Sequence, residues 1–97
     1  MATAAQLRAA RALIGISQPQ LAERCGSSTM TIKRAEGAGV PTPSLETIGK
    51  IKAALEAGGV VFMDAGSTRE GGPGVRLRAG MSAETIALDD LNASNDE

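Results

Sequence analysis

The sequence predicts one mainly α domain: four helices closed by a C-terminal β-hairpin, with a possible short helix after it. Three observations carry this. Apolar residues recur at helical spacing in four blocks up to residue 57, divided by Gly15, Gly26 and the stretch "GAGVPTPS". After Gly58-Gly59 the apolar period falls from about 3.6 to about 2, in "VVFM" and "VRLR". Finally, 97 residues with 42% hydrophobic content are one domain's worth of chain. Phe62 is the one aromatic residue, so the core must be built from Leu, Ile, Val, Met and Ala. Such a core is small and gives modest stability, which a second subunit would raise.

The first helix is expected over residues 3–14, where Leu7, Ala10, Arg11 and Ile14 share one face and Gly15 supplies the stop. The second starts at Ser17. Ser17 and Gln20 have capping-box spacing, and Pro19 falls in the first turn, where its missing N–H costs no hydrogen bond. Leu21, Ala22 and Cys25 form its inner stripe, and Gly26 suits a left-handed stop. The third is capped by Ser28 or Ser27 and runs to about Gly37, with Ile32 and Ala35 inward. The fourth starts near Ser44 and ends before Gly58-Gly59, with Leu45, Ile48, Ile51 and Leu55 inward and the Lys52 stem at the edge.

Strands are expected at 60–63 and 75–78, joined by the long Gly-rich loop "DAGSTREGGPG". In the second strand Val75 and Leu77 share one face, and Arg76 and Arg78 share the other. Ser82, Glu84, Ile86 and Leu91 outline a short amphipathic helix, and residues 92–97 read as a disordered tail. The organisation is therefore a helical unit over 1–57, a hairpin unit over 58–91 and the tail.

Net charge is −1, but its distribution is uneven. Residues 1–57 carry seven cations and four acids, and residues 58–97 carry three cations and seven acids. A basic head on an acidic tail permits nucleic-acid binding by the head. The single Cys25 excludes an internal disulfide and fits a reducing cytoplasm; the expected role of Cys25 is packing, not redox sensing. No apolar run reaches the length of a membrane span. The Arg-bearing N-terminus lacks the apolar region of a secretory signal and reads as the first helix.

A short helix, a tight Gly turn and a second short helix, flanked by one helix on each side, follow a helix-turn-helix plan. The stretch "LRAARALIGISQPQLAERCGSSTMTIKRAEGA" resembles the DNA-binding domain of the lambda-repressor and Cro family, also known as the xenobiotic response element family of bacterial and phage regulators. The matching residues are Arg11, Gly15, Ser17, Gln18, Leu21, Ala22, Gly26, Ile32 and Glu36, and the likeness covers about residues 4–57. The sequence departs from the family at Ser27 and Ala35, where larger side chains are usual, and in having strands where a fifth helix usually stands.

The resemblance implies that the third helix reads the major groove with its N-terminal residues at the base edges. On that basis Ser28 and Thr31 can donate to phosphate or base, and the Thr29 methyl and Met30 can meet a thymine methyl. Arg34 can fork onto guanine, while Lys33 suits phosphate or a guanine at longer reach. The resemblance gives Gln18 a phosphate contact and a bracing role. Thr42 and Ser44 stand at the N-terminus of the fourth helix, beside free N–H groups that suit a phosphate. It also implies an ion pair between Arg11 and Glu36 that fixes the first helix against the third.

"GSTREGGPG" has phosphate-loop spacing from Gly66 to Gly71, but Gly72 stands where the lysine should be. The chain has no histidine and no cysteine cluster, so zinc and histidine chemistry have no residues to use. No cofactor and no enzyme activity are expected. The expected function is sequence-specific DNA binding in a bacterial or phage cytoplasm, by a homodimeric transcriptional repressor on a pseudo-palindromic operator. Two other readings compete. One is an antitoxin whose acidic C-terminal part holds a protein partner. The other is a protein-binding module that has lost DNA. The expected dimer contact is the hairpin, through Val60, Phe62, Val75 and Leu77.

Overall fold

The computed structural model describes residues 2–66 and 71–79. Its elements are α1 (Ala4–Ile14), α2 (Gln18–Cys25), α3 (Thr29–Ala35), α4 (Leu45–Ala57), β1 (Val60–Met63) and β2 (Gly74–Leu77). The two strands pair antiparallel, with Val60 opposite Leu77 and Phe62 opposite Val75. No helix among the described residues is long and apolar enough to cross a membrane.

Each helix begins where a side-chain oxygen replaces a missing helical partner. Thr3, Ser17, Ser28 and Ser44 are the N-caps of α1 to α4, and each accepts from the backbone N–H three residues on. Thr3 with Gln6, and Ser17 with Gln20, form complete capping boxes. Gly15 and Gly26 close α1 and α2 at φ of 70° and 69°, a conformation that a Cβ would strain.

The largest fully buried side chains are Leu7, Leu21, Ile32, Ile51, Leu55 and Val60, so every helix and β1 contribute to one core. The core has no buried aromatic ring; Phe62 packs at its margin, with the Lys52 ammonium 5.6 Å from its ring centre. Helix α2 packs on α3 and α4, while α1 packs mainly on the hairpin and α4. Gln6 ties α1 to the hairpin. Its Oε1 accepts from the Thr3 N–H at 2.9 Å, and its Nε2 donates to the carbonyls of Met63 and Gly74, each at 3.0 Å. Those two carbonyls belong to one register pair, so a single buried amide pins the loop end of the hairpin.

Several expectations are corrected. Leu45 is 71% exposed and is not on the inner face of α4. As the first helical residue it points back past the helix end, because helical side chains lean toward the N-terminus. The buried stripe of α4 is Ile48, Ile51 and Leu55. Helix α3 stops at Ala35, with Glu36 as its C-cap, and does not reach Gly37. Strand β2 begins and ends one residue earlier than expected, at Gly74 and Leu77. The apolar hairpin face is turned on the chain's own helices: Val60 is 2% exposed, and Phe62, Val75 and Leu77 pack against the core. A dimer contact cannot bury Val60 a second time. The short helix expected from Ser82, the tail over 92–97 and part of the hairpin loop lie outside the described residues.

Gln6→Leu is expected to lower stability by about 1–3 kcal/mol, because it removes one capping partner and the side-chain hydrogen bonds to two partly buried carbonyls. Urea unfolding measures the loss. An unchanged midpoint would mean that water replaces the amide at no cost.

Candidate nucleic-acid interface

Helix α3 is seven residues long, so the direction of each side chain follows from a turn of about 100° per residue. Ile32 and Ala35 are buried and define its inner line. Met30 projects almost opposite that line, with Lys33 and Arg34 about 50° to either side. Thr29 and Thr31 lie on the flanks. Exposure agrees: Met30 is 50% exposed, Lys33 is exposed, and Thr29, Thr31 and Arg34 are half-buried. One thioether and two cations therefore share one outward face. Among the described residues, neither Lys33 nor Arg34 has an acidic partner.

The hydroxyls beside this face are more committed than the sequence implies. Ser28 Oγ accepts from the Thr31 N–H at 3.1 Å and lies 2.9 Å from Thr31 Oγ1. The two hydroxyls share one hydrogen bond, which leaves one hydroxyl proton of the pair for an outside acceptor. Ser44 is tied in the same way: its Oγ accepts from the Thr47 N–H at 3.2 Å and donates to Thr47 Oγ1 at 3.1 Å. Thr42 is exposed in the loop before α4. Glu46, exposed in the first turn of α4, complements the helix dipole and opposes an incoming phosphate there.

The orientation of α3 is set by Glu36, only 3% exposed. Arg11 approaches it as a fork, with Nε donating to Oε2 at 2.9 Å and Nη2 donating to Oε1 at 3.1 Å. Gln18 Nε2 donates to the same Oε1 at 3.0 Å. Arg11 Nη1 donates to the Ile16 carbonyl at 3.1 Å, between α1 and α2. The carboxylate thus gathers α1, α2 and the end of α3.

Arg8 completes the node from one turn earlier on α1, with Nη1 donating to the Glu36 carbonyl. Arg8 and Gln6 are functional positions that the apolar pattern of the sequence does not single out. Spacing held a signal for both: Arg8 stands three residues before Arg11, and Thr3 stands three before Gln6. Cys25 is half-buried against the core, with Sγ 3.8 Å from the Ala22 carbonyl.

Comparison of the chain with models of known protein families finds no match, and comparison with curated proteins finds none either.

Arg11→Met is expected to cost about 3 kcal/mol, the low end of what breaking a buried pair costs, since the guanidinium side chain is 24% exposed. Glu36→Gln alone and the double variant complete a cycle read by thermal unfolding. Additive losses would mean that the two side chains do not act as one unit.

Proposed function

We propose that the chain is a sequence-specific DNA-binding regulator of transcription, a homodimeric repressor that lays α3 in the major groove of a pseudo-palindromic site. The observation that carries the reading is the outward face of α3, where Met30, Lys33 and Arg34 project together from a helix locked at its C-terminal end. The resemblance of residues 4–57 to the lambda-repressor and Cro family supports the same placement.

In this reading Arg34 forks onto guanine O6 and N7, and Met30 with the Thr29 methyl takes a thymine methyl. Lys33 and the remaining hydroxyl proton of Ser28 or Thr31 take phosphates. Gln18 spends one Nε2 hydrogen on Glu36, which leaves the second for a phosphate. The node at Glu36 keeps these groups in a fixed pose, so little ordering is required on binding. A repressor of this kind works by covering DNA, and a dimer on half-sites about 34 Å apart doubles the contacts of one head.

Selection of bound duplexes from a random pool, followed by salt titration of the selected site, tests the reading. Arg34→Ala should lose about 1–3 kcal/mol of discrimination at one base position. Lys33→Ala should weaken all duplexes alike and lower the salt slope by about 0.9. If no duplex binds in a salt-dependent way, the face serves a protein partner instead, and the acidic C-terminal part becomes the first region to examine.

A further inference from the structure

Beside β2 lies a groove of about 400 Å³, walled by Ala5 and Ala9 of α1 and by Pro73 and Val75 of the hairpin. No β1 residue lines it, so it runs along the side of β2 that faces away from β1. Its walls are mainly apolar, with Thr3 and Gln6 the polar residues of the lining.

The strand edge along this groove is open. The Arg78 N–H donates to the Gly59 carbonyl at 2.7 Å, toward β1. Antiparallel strands alternate, so the N–H and C=O groups of Val75 and Leu77 point the other way. Among the described residues those N–H groups have no acceptor. An edge in this state takes up an extended segment readily.

Charge selects the segment. Arg76 and Arg78 are exposed at this edge; Arg78 Nη2 donates to the Glu56 carbonyl at 2.7 Å, while Arg76 has no acidic partner among the described residues. The first acid in the chain is Glu23, so α1 adds none. Pairing β2 with β2 of a second copy about a two-fold axis would set Arg76 against its own counterpart or against Arg78. Like charges directly opposite one another destabilise a sheet.

The chain itself supplies the opposite charge. Residues 80–97 contain Glu84, Asp89, Asp90, Asp96 and Glu97, no Lys or Arg, and the apolar residues Ile86, Leu88 and Leu91. They follow directly on the end of β2. At about 3.3 Å per residue, four residues suffice to run back along a four-residue strand.

We propose that residues 81–97 of this chain dock on the free edge of β2 as an extended segment, in place of the short helix that their pattern suggests, seating Ile86 and Leu88 in the groove between α1 and the hairpin and setting Asp89, on the opposite strand face, beside Arg76. The contact is intramolecular and independent of DNA binding.

Amide hydrogen exchange on the full chain tests the contact. The Val75 and Leu77 amides should exchange at least tenfold more slowly in the native chain than in the variant carrying Ile86→Asp and Leu88→Asp. Protection should not depend on protein concentration. A second variant, with Glu84→Gln, Asp89→Asn and Asp90→Asn, should lose part of the protection at low salt, and high salt should remove part of it from the native chain. The core amides of Ile51 and Leu55 report whether each variant is folded. If the first variant unfolds, the neutralised one decides. Equal exchange at Val75 and Leu77 in the native and neutralised chains at low salt would overturn the proposal. So would protection that rises with concentration, which would give the edge to a second copy.

Discussion

The buried carboxylate of Glu36 is the constraint on which the arrangement of the helices depends. Helix α3 is seven residues long, far below the length at which an isolated helix is stable in water. Its core contribution is Ile32 and Ala35, and its main packing partner is α2. Two small apolar contacts hold a helix in place but leave its rotation and tilt loosely set. Glu36 removes that freedom, because both its oxygens accept bonds from side chains on other helices, Arg11 on α1 and Gln18 on α2. Burying a carboxylate carries a desolvation cost, which the forked guanidinium offsets only in one geometry. The gain is chiefly in specifying that geometry.

Gln6 does the same at the other end of α1. A helix whose apolar face is Leu7, Ala10 and Ile14 can press on its neighbours but cannot choose their register. Gln6 and Arg11 flank that face and grip, respectively, the hairpin end and the end of α3. In a domain with no buried aromatic ring, such polar ties take over positioning that large rings provide elsewhere. The stability expected to be lost on Gln6→Leu and on Arg11→Met measures the two grips separately.

Local features were legible in the sequence, and those that depend on where elements meet were not. The caps at Ser17, Ser28 and Ser44 and the stops at Gly15 and Gly26 follow from neighbouring residues, and each stands where expected. The Arg11–Glu36 pair was legible through the family resemblance, since spacing alone does not join residues 25 apart. Leu45 was misplaced because periodicity records a face and not how far a helix end projects beyond the core. Alternation shows that Val60, Phe62, Val75 and Leu77 lie together, but not that Val60 is already buried under the chain's own helices. Gln6 escaped notice because its partners are backbone carbonyls 57 and 68 residues away, which have no signature in side-chain pattern.

The use of the cations bears on how the head could hold DNA. Arg8, Arg11 and Arg78 donate to acceptors inside the fold, and Lys52 sits over Phe62. Charge that serves the fold in this way is largely unavailable to phosphate. Lys33 and Arg34, on the outward face of α3, keep theirs for an outside anion. In the proposed pose, with Lys33 on a phosphate and Arg34 on a base, these two charges would give one head a salt slope no steeper than about −2. A footprint that slight would give weak binding by any single copy. Two heads on one duplex double the slope and multiply the affinity through effective concentration. Under the proposed function, occupancy would then respond steeply to protein concentration.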